Sequence, residues 1–199
     1  MTTGLTPRTF ENLQLNAGAF LKNFAYDTAT DKGTLENMVL AALESGDGVL
    51  GATRGGGSFQ CTPTVRQIEA DGMRYPVIGS TVNDMWTIKL TTTLLEITPE
   101  NFADALMCCD VAKSGAKTTL TVRTSIEKED YIPSLCWVGD TSKGLVLIEL
   151  KNALNLAGAN FTFTDRGEGT LPVEFQAHQA NLADMDKAPF NIVFFDETV

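Results

Sequence analysis

The segment from Asp84 to Cys109 reads DMWTIKLTTTLLEITPENFADALMCC, and its hydrophobic pattern changes partway along. In the first half, apolar residues recur at alternate positions, with threonine or lysine between them. A period of two places neighbouring side chains on opposite faces of a strand, so this half predicts a half-buried β-strand. The expected inward residues are Trp86, Ile88, Leu90, Thr92 and Leu94, and the outward ones are Thr87, Lys89, Thr91 and Thr93.

The second half of this segment predicts a helix over residues 98–109. Thr98 is a suitable N-cap, Pro99 suits the first helical position, and Glu100 complements the positive end of the helix dipole. Apolar residues then recur at the spacing of one helix face, at Phe102, Ala105, Leu106 and Cys109.

Beyond this helix the chain is rich in strand patterns. Runs such as GLVLIELKNA (144–153) and TLPVEFQAH (170–178) are separated by turns that contain glycine and aspartate. Many short strands around one principal helix favour two packed antiparallel sheets, as a β-sandwich or open barrel with the helix on one flank. We therefore predict a mainly β domain over residues 49–199, with its flanking helix at 98–109.

Before Asp84 the chain carries further strand patterns. VLGATRGGGSFQCTPTV (49–65) is interrupted by Gly55, Gly56 and Gly57, which predict positive φ angles or the close approach of another backbone. TVRQIEADGMRYPVIGS (64–80) reads as two strands joined at Asp71-Gly72. In the first of these strands Gln67, Glu69 and Asp71 share one face. A strand with such a polar row is expected to face water.

The N-terminal region divides into two parts. Residues 1–33 show no sustained period and predict an extended arm and loop with little core of their own. Residues 34–44, TLENMVLAALE, predict a short inserted helix with Thr34 as its N-cap. Its apolar face would contain Leu35, Met38, Val39, Ala42 and Leu43. The expected organisation is a single domain over residues 1–199.

The composition argues against some functions. Of the 199 residues, 15 are Lys or Arg and 25 are Asp or Glu, and the net charge of −10 argues against a surface that grips nucleic-acid phosphates. No apolar run approaches the roughly 20 residues of a membrane span, and the N-terminus lacks the pattern of a secretory signal. The four cysteines match no zinc or disulfide pattern and are expected to be buried free thiols: Cys61, Cys108, Cys109 and Cys136.

No catalytic, cofactor-binding or metal-binding residues are predicted. The single histidine, His178, is expected on a solvated strand face without a nucleophile beside it. The loop GATRGGGSF (51–59) lacks the Gly-Lys-Ser/Thr ending of a phosphate-binding loop. The carboxylates of EKEDY (127–131) read as a solvated hairpin tip. We therefore expect a protein that is not an enzyme.

Four stretches resemble, in this order, the tail tube (major tail) proteins of tailed bacteriophages and of phage-like prophage particles. They are LNAGAFLKNF (15–24), LGATRGGGSFQCTPTVRQIEADG (50–72), LLEITPENFADAL (94–106) and GLVLIELKNALNLAGANFTFTDRGEGTLPVEFQAH (144–178). The resemblance implies a subunit of the virion tail, assembled in the bacterial host cytoplasm. Such subunits form hexameric rings that stack into a hollow tube for genome delivery.

The resemblance also implies roles for particular residues and partners. Gln67, Glu69 and Asp71 would face the lumen, which DNA crosses without being specifically bound. Contacts between subunits or rings would involve Phe20, Leu21, Phe24, Arg54, Gly55, Gly56 and Gly57. The alternative for the first three is packing on their own domain. The chain's main partner would be itself, and its further partners would be the tape-measure protein, the tail terminator, the baseplate and a sheath.

Two other functions stay open. The same tube is also compatible with a DNA-free, phage-tail-like bacteriocin or injection device. The alternative from another class is a monomeric ligand-binding β-sandwich, such as a carbohydrate-binding module, which usually offers a platform of exposed aromatic side chains. Trp86 and Trp137 occupy apolar or alternating strand positions and are expected in the core, which disfavours that alternative.

Overall fold

The computed structural model describes residues 13, 16–24, 26 and 30–196, and the fold is given for these residues. They form two helices, α1 (Lys32–Ser45) and α2 (Pro99–Ala105), neither of which is long and apolar enough to cross a membrane. They also form nine strands: β1 (Ala19–Lys22), β2 (Thr53–Gln67), β3 (Thr81–Leu94), β4 (Cys109–Ser114), β5 (Lys117–Val122), β6 (Ile132–Asp140), β7 (Gly144–Asn155), β8 (Leu171–Gln176) and β9 (Phe190–Asp196).

Seven of these strands form one open antiparallel sheet in the order β1-β6-β7-β8-β3-β2, with β9 also paired to β7. The long strand β7 connects the two halves of this sheet. Its residues Gly144 to Leu150 pair with β9, whereas only Leu154 and Asn155 pair with β8. We call β1, β6, β7 and β9 the first layer, and β2, β3 and β8 the second layer. The strands β4 and β5 form a separate hairpin.

The main hydrophobic core lies between the two layers. Neighbouring strands contribute side chains from paired positions, as where Leu90 of β3 lies opposite Phe175 of β8. Burying one such side chain contributes roughly 1.5–3 kcal/mol, so this cluster is the main source of stability. The predicted mainly β fold with packed antiparallel sheets is confirmed. Fully buried members of the cluster include Phe20, Leu50, Leu94, Leu135, Leu150, Leu171 and Phe175.

A second cluster packs α1 against the outer face of the first layer. Leu35 of α1 is fully buried there against a cluster that includes Leu21 of β1 and Cys136 of β6. Because side chains alternate along a strand, Leu135 points into the main core while its neighbour Cys136 points towards α1. The first layer is therefore covered on both faces, by the second layer and by α1.

Both predicted helices exist, with different bounds. For α2, the hydroxyl of Thr98 accepts a hydrogen bond from the Asn101 backbone N–H (3.1 Å), as the predicted cap requires. The helix ends at Ala105, and Cys109 begins β4, so the predicted end at 109 is wrong. Met107, at a φ of 71°, lies in the left-handed region and cannot continue the helix.

The predicted cap of α1 is wrong. Asp31 is the N-cap, and its carboxylate accepts a hydrogen bond from the Thr34 backbone N–H (2.8 Å). Thr34 therefore lies inside the first turn, and the helix extends from Lys32 to Ser45 instead of 34–44. It ends where Gly46 adopts a left-handed conformation with a φ of 74°.

The predicted N-terminal arm is corrected where it forms β1. This short strand pairs with β6, and Phe20 and Leu21 are each only 1% exposed. Their packing is therefore on their own domain, and Phe24 also belongs to the cluster under α1. A strand of four residues is too short to show a period in the sequence. The rest of the predicted arm, at residues 1–12, 14, 15, 25 and 27–29, lies outside the described residues.

The predicted turn at Asp71-Gly72 exists, with the Met73 backbone N–H donating to the Ala70 carbonyl oxygen (3.0 Å), but the prediction that it joins two strands as a hairpin is wrong. Strand β2 ends at Gln67, which pairs with Thr81 of β3, and residues 68–80 connect the two strands as a loop. Pro76 has no backbone N–H to donate to a strand, and Gly79 has a φ of 93°. These backbone constraints favour a loop over the second predicted strand.

Candidate assembly surfaces

The second layer presents a polar face on the side away from the core. Its strand register aligns polar residues across three strands: Gln60 pairs with Lys89, which pairs with Gln176. In the next polar row Ser58 pairs with Thr91, which pairs with Glu174. Between these rows, Phe59, Leu90 and Phe175 belong to the inward side. We call this surface the polar face; its members are Ser58, Gln60, Lys89, Thr91, Glu174 and Gln176.

The charges on the polar face neutralise one another. The Lys89 ammonium lies 2.6 Å from a carboxylate oxygen of Glu174, across the pair of strands. The hydroxyls of Ser58 and Thr91 share a hydrogen bond of 2.7 Å. The face is therefore hydrophilic but carries no net charge, although the chain as a whole is strongly acidic.

Five of the described strands pair with only one other strand: β1, β2, β4, β5 and β9. Within the two layers, the longest open edges belong to β2, at one end of the second layer, and to β9, which pairs only with β7. The two edges lie on the same side of the sandwich, because the ring centroids of Phe59 and Phe190 are 5.6 Å apart. Beside them Ile192 and Phe194 of β9 are exposed. Unpaired edge N–H and C=O groups can pair with another chain.

The outer part of the β2–β3 hairpin projects beyond the rest of the fold. Strand β8 accompanies β3 only from Lys89 to Leu94, so residues 62–67 and 81–87 pair only with each other. Seven residues of strand extend roughly 20 Å. We call residues 61–87 the ribbon, and all of them are exposed except Ser80, Val82 and Thr87.

The ribbon exposes many apolar side chains for a segment without a core. Ile78 is fully exposed at the tip, and Trp86 is 52% exposed on the strand. The prediction that Trp86 lies in the core is therefore wrong. The other large exposed apolar residues are Val65, Ile68, Met73, Tyr75, Val77 and Met85. A concentration of exposed apolar surface is typical of protein interaction sites.

Local contacts hold the ribbon together. The Arg66 guanidinium lies 2.9 Å from the Asp84 carboxylate across the two strands. The register shifts between Thr64 and Val65, and such a bulge increases the local twist. Pro63 lacks a backbone N–H, as is common on an edge strand.

The glycines predicted at an interface have well-defined roles within the chain. Gly55 and Gly56 have φ angles of 75° and 72°, and the register of β2 shifts between Thr53 and Gly57. A Cβ atom on Gly57 would lie 2.4 Å from the Thr91 carbonyl oxygen. The predicted positive φ and close approach are thus both present. The three glycines line a cavity of about 360 Å³ beside Phe20 and Trp137, while Arg54 forms an ion pair with Glu168.

The polar row predicted for the lumen is not a strand face. Gln67 is the last residue of β2, whereas Glu69 and Asp71 lie in the loop at the ribbon tip. All three are exposed and line one shallow depression together with Arg74 and Tyr75. Their position facing a lumen stays a prediction.

The residues considered for catalysis have structural contacts instead. His178 lies beyond the end of β8 and is partly buried, so the prediction of a solvated strand histidine is wrong. Its ring packs edge-on against Tyr131, with centroids 5.2 Å apart, and its Nδ1 lies 3.2 Å from the Asn152 carbonyl oxygen. In the described part of the chain, no group of three or more His, Cys, Asp or Glu side chains is arranged to hold a metal ion.

The acidic segment near residue 127 is bound to an arginine. Arg123 contacts Asp110 and Glu127 at 3.0 Å each and also pairs with Asp130. The predicted hairpin tip is in fact a short 3-10 turn over Lys128–Asp130. This network joins the turn to strand β4.

The cysteines differ in exposure. Cys108 and Cys136 are buried free thiols, as predicted, and burial raises the pKa of the Cys136 thiol to about 12. Cys109 is partly buried, and burial raises the pKa of its thiol as well. Cys61 is exposed at the base of the ribbon, which contradicts the prediction for that residue.

The chain matches no model of a known protein family, and no curated protein matches it. The polar face, the open edges and the ribbon therefore carry the functional interpretation.

Proposed function

We propose that the chain is the structural subunit of a phage tail tube, which assembles as stacked hexameric rings around a channel for the genome. The hexameric ring comes from the sequence resemblance. The polar face is the observation that best supports the proposal. It is a broad, hydrophilic sheet surface that ends at the unpaired edge of β2.

The polar face has the properties that a channel wall requires. Large barrels have polar residues towards a water-filled interior and apolar residues towards the packed side, which is the alternation found in the second layer. Lysines that are free to bind phosphates would hold DNA through many ionic contacts. Here the only lysine among the six residues of the face is paired with Glu174.

The open edges and the ribbon supply the contacts that stacking requires. The unpaired backbone N–H and C=O groups of an edge strand can cause aggregation, and they form hydrogen bonds when a neighbouring subunit pairs with that strand. In a stack, the ribbon of one subunit would contact a different surface patch on a neighbouring copy of the chain. Such contacts between unlike patches of identical chains generate rings and open helical assemblies instead of closed dimers.

The proposed channel wall is tested by placing positive charge on it. Ser58→Lys with Gln60→Lys adds two lysines to the polar face at exposed positions of β2, where each change is expected to shift stability by no more than roughly 0.5 kcal/mol. We expect normal tails but slow or incomplete DNA ejection when this variant complements a phage that lacks its own subunit. Tail length is measured by electron microscopy and ejection by release of labelled DNA.

The matched control adds the same charge elsewhere. Ser114→Lys with Thr119→Lys changes two exposed residues of the β4–β5 hairpin and should leave ejection normal. Normal DNA ejection by both variants would exclude the polar face from the channel. Equally slow ejection by both variants would trace the defect to the added total charge and would likewise count against the proposed wall.

A further inference from the structure

A continuous trough runs between α1 and the first layer. Its floor and sides are mainly apolar, and its volume is about 570 Å³. Two leucines of α1 remain accessible along it, with Leu40 56% and Leu43 45% exposed. We call this groove the α1 trough. Its larger apolar lining residues are Val39, Leu40, Leu43, Val138 and Leu145.

The α1 trough continues past the end of the helix. Gly18, Ala19 and Leu43 also line a second depression of about 440 Å³. That depression extends to Gly46, where α1 ends, and to Glu96, which follows β3. The combined groove therefore runs alongside α1 and past its C-terminal end.

The charged residues that line this groove are all acidic. They are Glu36, Asp140 and Glu96, and neither depression is lined by lysine or arginine. Glu36 lies 3.7 Å from Lys32, Asp140 accepts a hydrogen bond from the Asn16 side chain, and Glu96 accepts one from the Ala52 backbone. Two of these three carboxylates thus have only neutral partners among the hydrogen bonds and ion pairs described.

The end of α1 adds negative potential at the same place. The C-terminus of a helix carries the negative end of its dipole, which basic residues in the last turn normally offset. The last turn of α1 contains no basic residue; the exposed Glu44 lies in it, and the exposed Asp47 follows directly after the C-cap Gly46. The groove therefore combines apolar surface with acidic ends.

We propose that the α1 trough binds a basic, amphipathic segment of a second protein. Apolar side chains of that segment pack on Leu40 and Leu43, and its lysines or arginines lie beside Glu36, Asp140 and the end of α1. This site does not depend on self-assembly of the chain. It lies against α1, whereas the proposed channel wall lies on the second layer.

A second copy of the chain offers poor charge complementarity as the occupant. Its most apolar projecting segment is the ribbon tip, where Arg74 is accompanied by Glu69 and Asp71. That tip is acidic on balance, and the whole chain carries a net charge of −10. Like charges across an interface disfavour binding, so the trough is better suited to a basic partner.

The test uses a short, fluorescently labelled peptide with leucine and lysine at helical spacing, titrated with the full chain at near-physiological ionic strength. We expect saturable binding, measured by anisotropy. The double variant Leu40→Gln/Leu43→Gln should weaken binding at least about tenfold, as should Glu36→Gln/Asp140→Asn. Both sets of changes affect surface residues, so far-ultraviolet circular dichroism should remain unchanged.

Matched controls separate the trough from general attraction to an acidic protein. Val111→Gln/Val122→Gln removes exposed apolar surface from the β4–β5 hairpin, and Glu69→Gln/Asp71→Asn removes two carboxylates from the ribbon tip. Both should bind the peptide as the wild type does. Equal weakening in the controls, or equal binding of a leucine and glutamate peptide, would overturn the proposal. So would loss of self-association in Leu40→Gln/Leu43→Gln without peptide, since the occupant would then be a second copy.

Discussion

At the scale of single residues, Gly57 shows how closely β2 packs against the core. A side chain there would meet the Thr91 backbone and the Phe20 ring, at 2.4 Å and 2.7 Å from its Cβ atom. Neither neighbour can move easily, because Thr91 is in the centre of the second layer and Phe20 is fully buried. The glycine is required for packing at this position.

We therefore expect Gly57→Ala to reduce the free energy of unfolding by roughly 1–3 kcal/mol, as overpacking of a core does. Gly33→Ala is the matched control, because Gly33 lies in α1 and an added Cβ would meet only a carboxylate oxygen of Asp31 at 3.6 Å. It should leave the free energy of unfolding unchanged or raise it slightly, because Gly33 lies in the first turn of α1 and a glycine costs most in the middle of a helix. Urea unfolding distinguishes the two, and an unchanged midpoint for Gly57→Ala would contradict the described packing.

Asp104 is a residue at which two electrostatic effects oppose each other. Burial raises the pKa of its carboxyl above the ordinary value of 3.8, while the Lys22 ammonium, 2.5 Å away, lowers it. Burial is the larger effect, so the pKa is raised overall. A raised pKa means that the folded state holds the proton more tightly than the unfolded state does.

This raised pKa predicts the direction of a pH dependence. The stability that Asp104 contributes is complete below its unfolded pKa and is lost as the pH rises through its folded pKa. Compared with Asp104→Asn, the wild type should therefore become less stable as the pH rises from about 3.8. Thermal unfolding of both proteins across this range measures the difference. A difference that changes in the opposite direction would mean that attraction to Lys22 outweighs burial.

At the scale of elements, local signals predicted some features well and missed others. The start of α2 was predictable because Thr98, Pro99 and Glu100 act through the adjacent backbone. The outward residues of β3 were also predictable, since alternation alone places Lys89 and Thr91 on one face. The alignment of that face with β2 and β8 depends on strand register, which the sequence of one strand does not contain.

The exposure of the ribbon was not predicted, because its sequence alternates between apolar and polar residues as that of a half-buried strand does. Trp86 and Val65 have strong strand preferences, but no second layer covers them. The strand β1 was missed for the opposite reason: Phe20 and Leu21 are deeply buried, yet the strand is too short to show a period. In both cases burial is decided by distant parts of the chain.

The ribbon tip provides a test of stacking. Because Gln67 and Thr81 already face each other, an Asn-Gly turn can replace residues 68–80 and close the hairpin. We expect this shortened chain to fold normally but not to form long assemblies, because its exposed apolar tip is gone. Sedimentation velocity measures assembly, and circular dichroism measures folding.

The control for shortening is Glu69→Gln/Asp71→Asn, which retains the length and apolar residues of the tip and should assemble normally. Full-length tubes formed by the shortened chain would show that stacking uses other surfaces. Loss of the β-sheet signal in circular dichroism would instead show that the fold needs the tip, which its exposure to solvent argues against.

At the scale of the whole molecule, charge is unevenly distributed over the surface. The polar face is close to neutral, whereas the chain carries a net charge of −10 and the α1 trough is acidic. Association of such subunits is opposed by repulsion over a Debye length of about 8 Å at physiological ionic strength. Added salt should therefore favour assembly.

The most direct measurement is electron microscopy of the purified wild-type chain, concentrated over a range of salt concentrations. We predict hollow tubes of stacked rings with sixfold symmetry, in which averaged images place the second layer next to the channel and α1 away from it. Single, dispersed subunits at every concentration and salt condition would contradict the proposed tube.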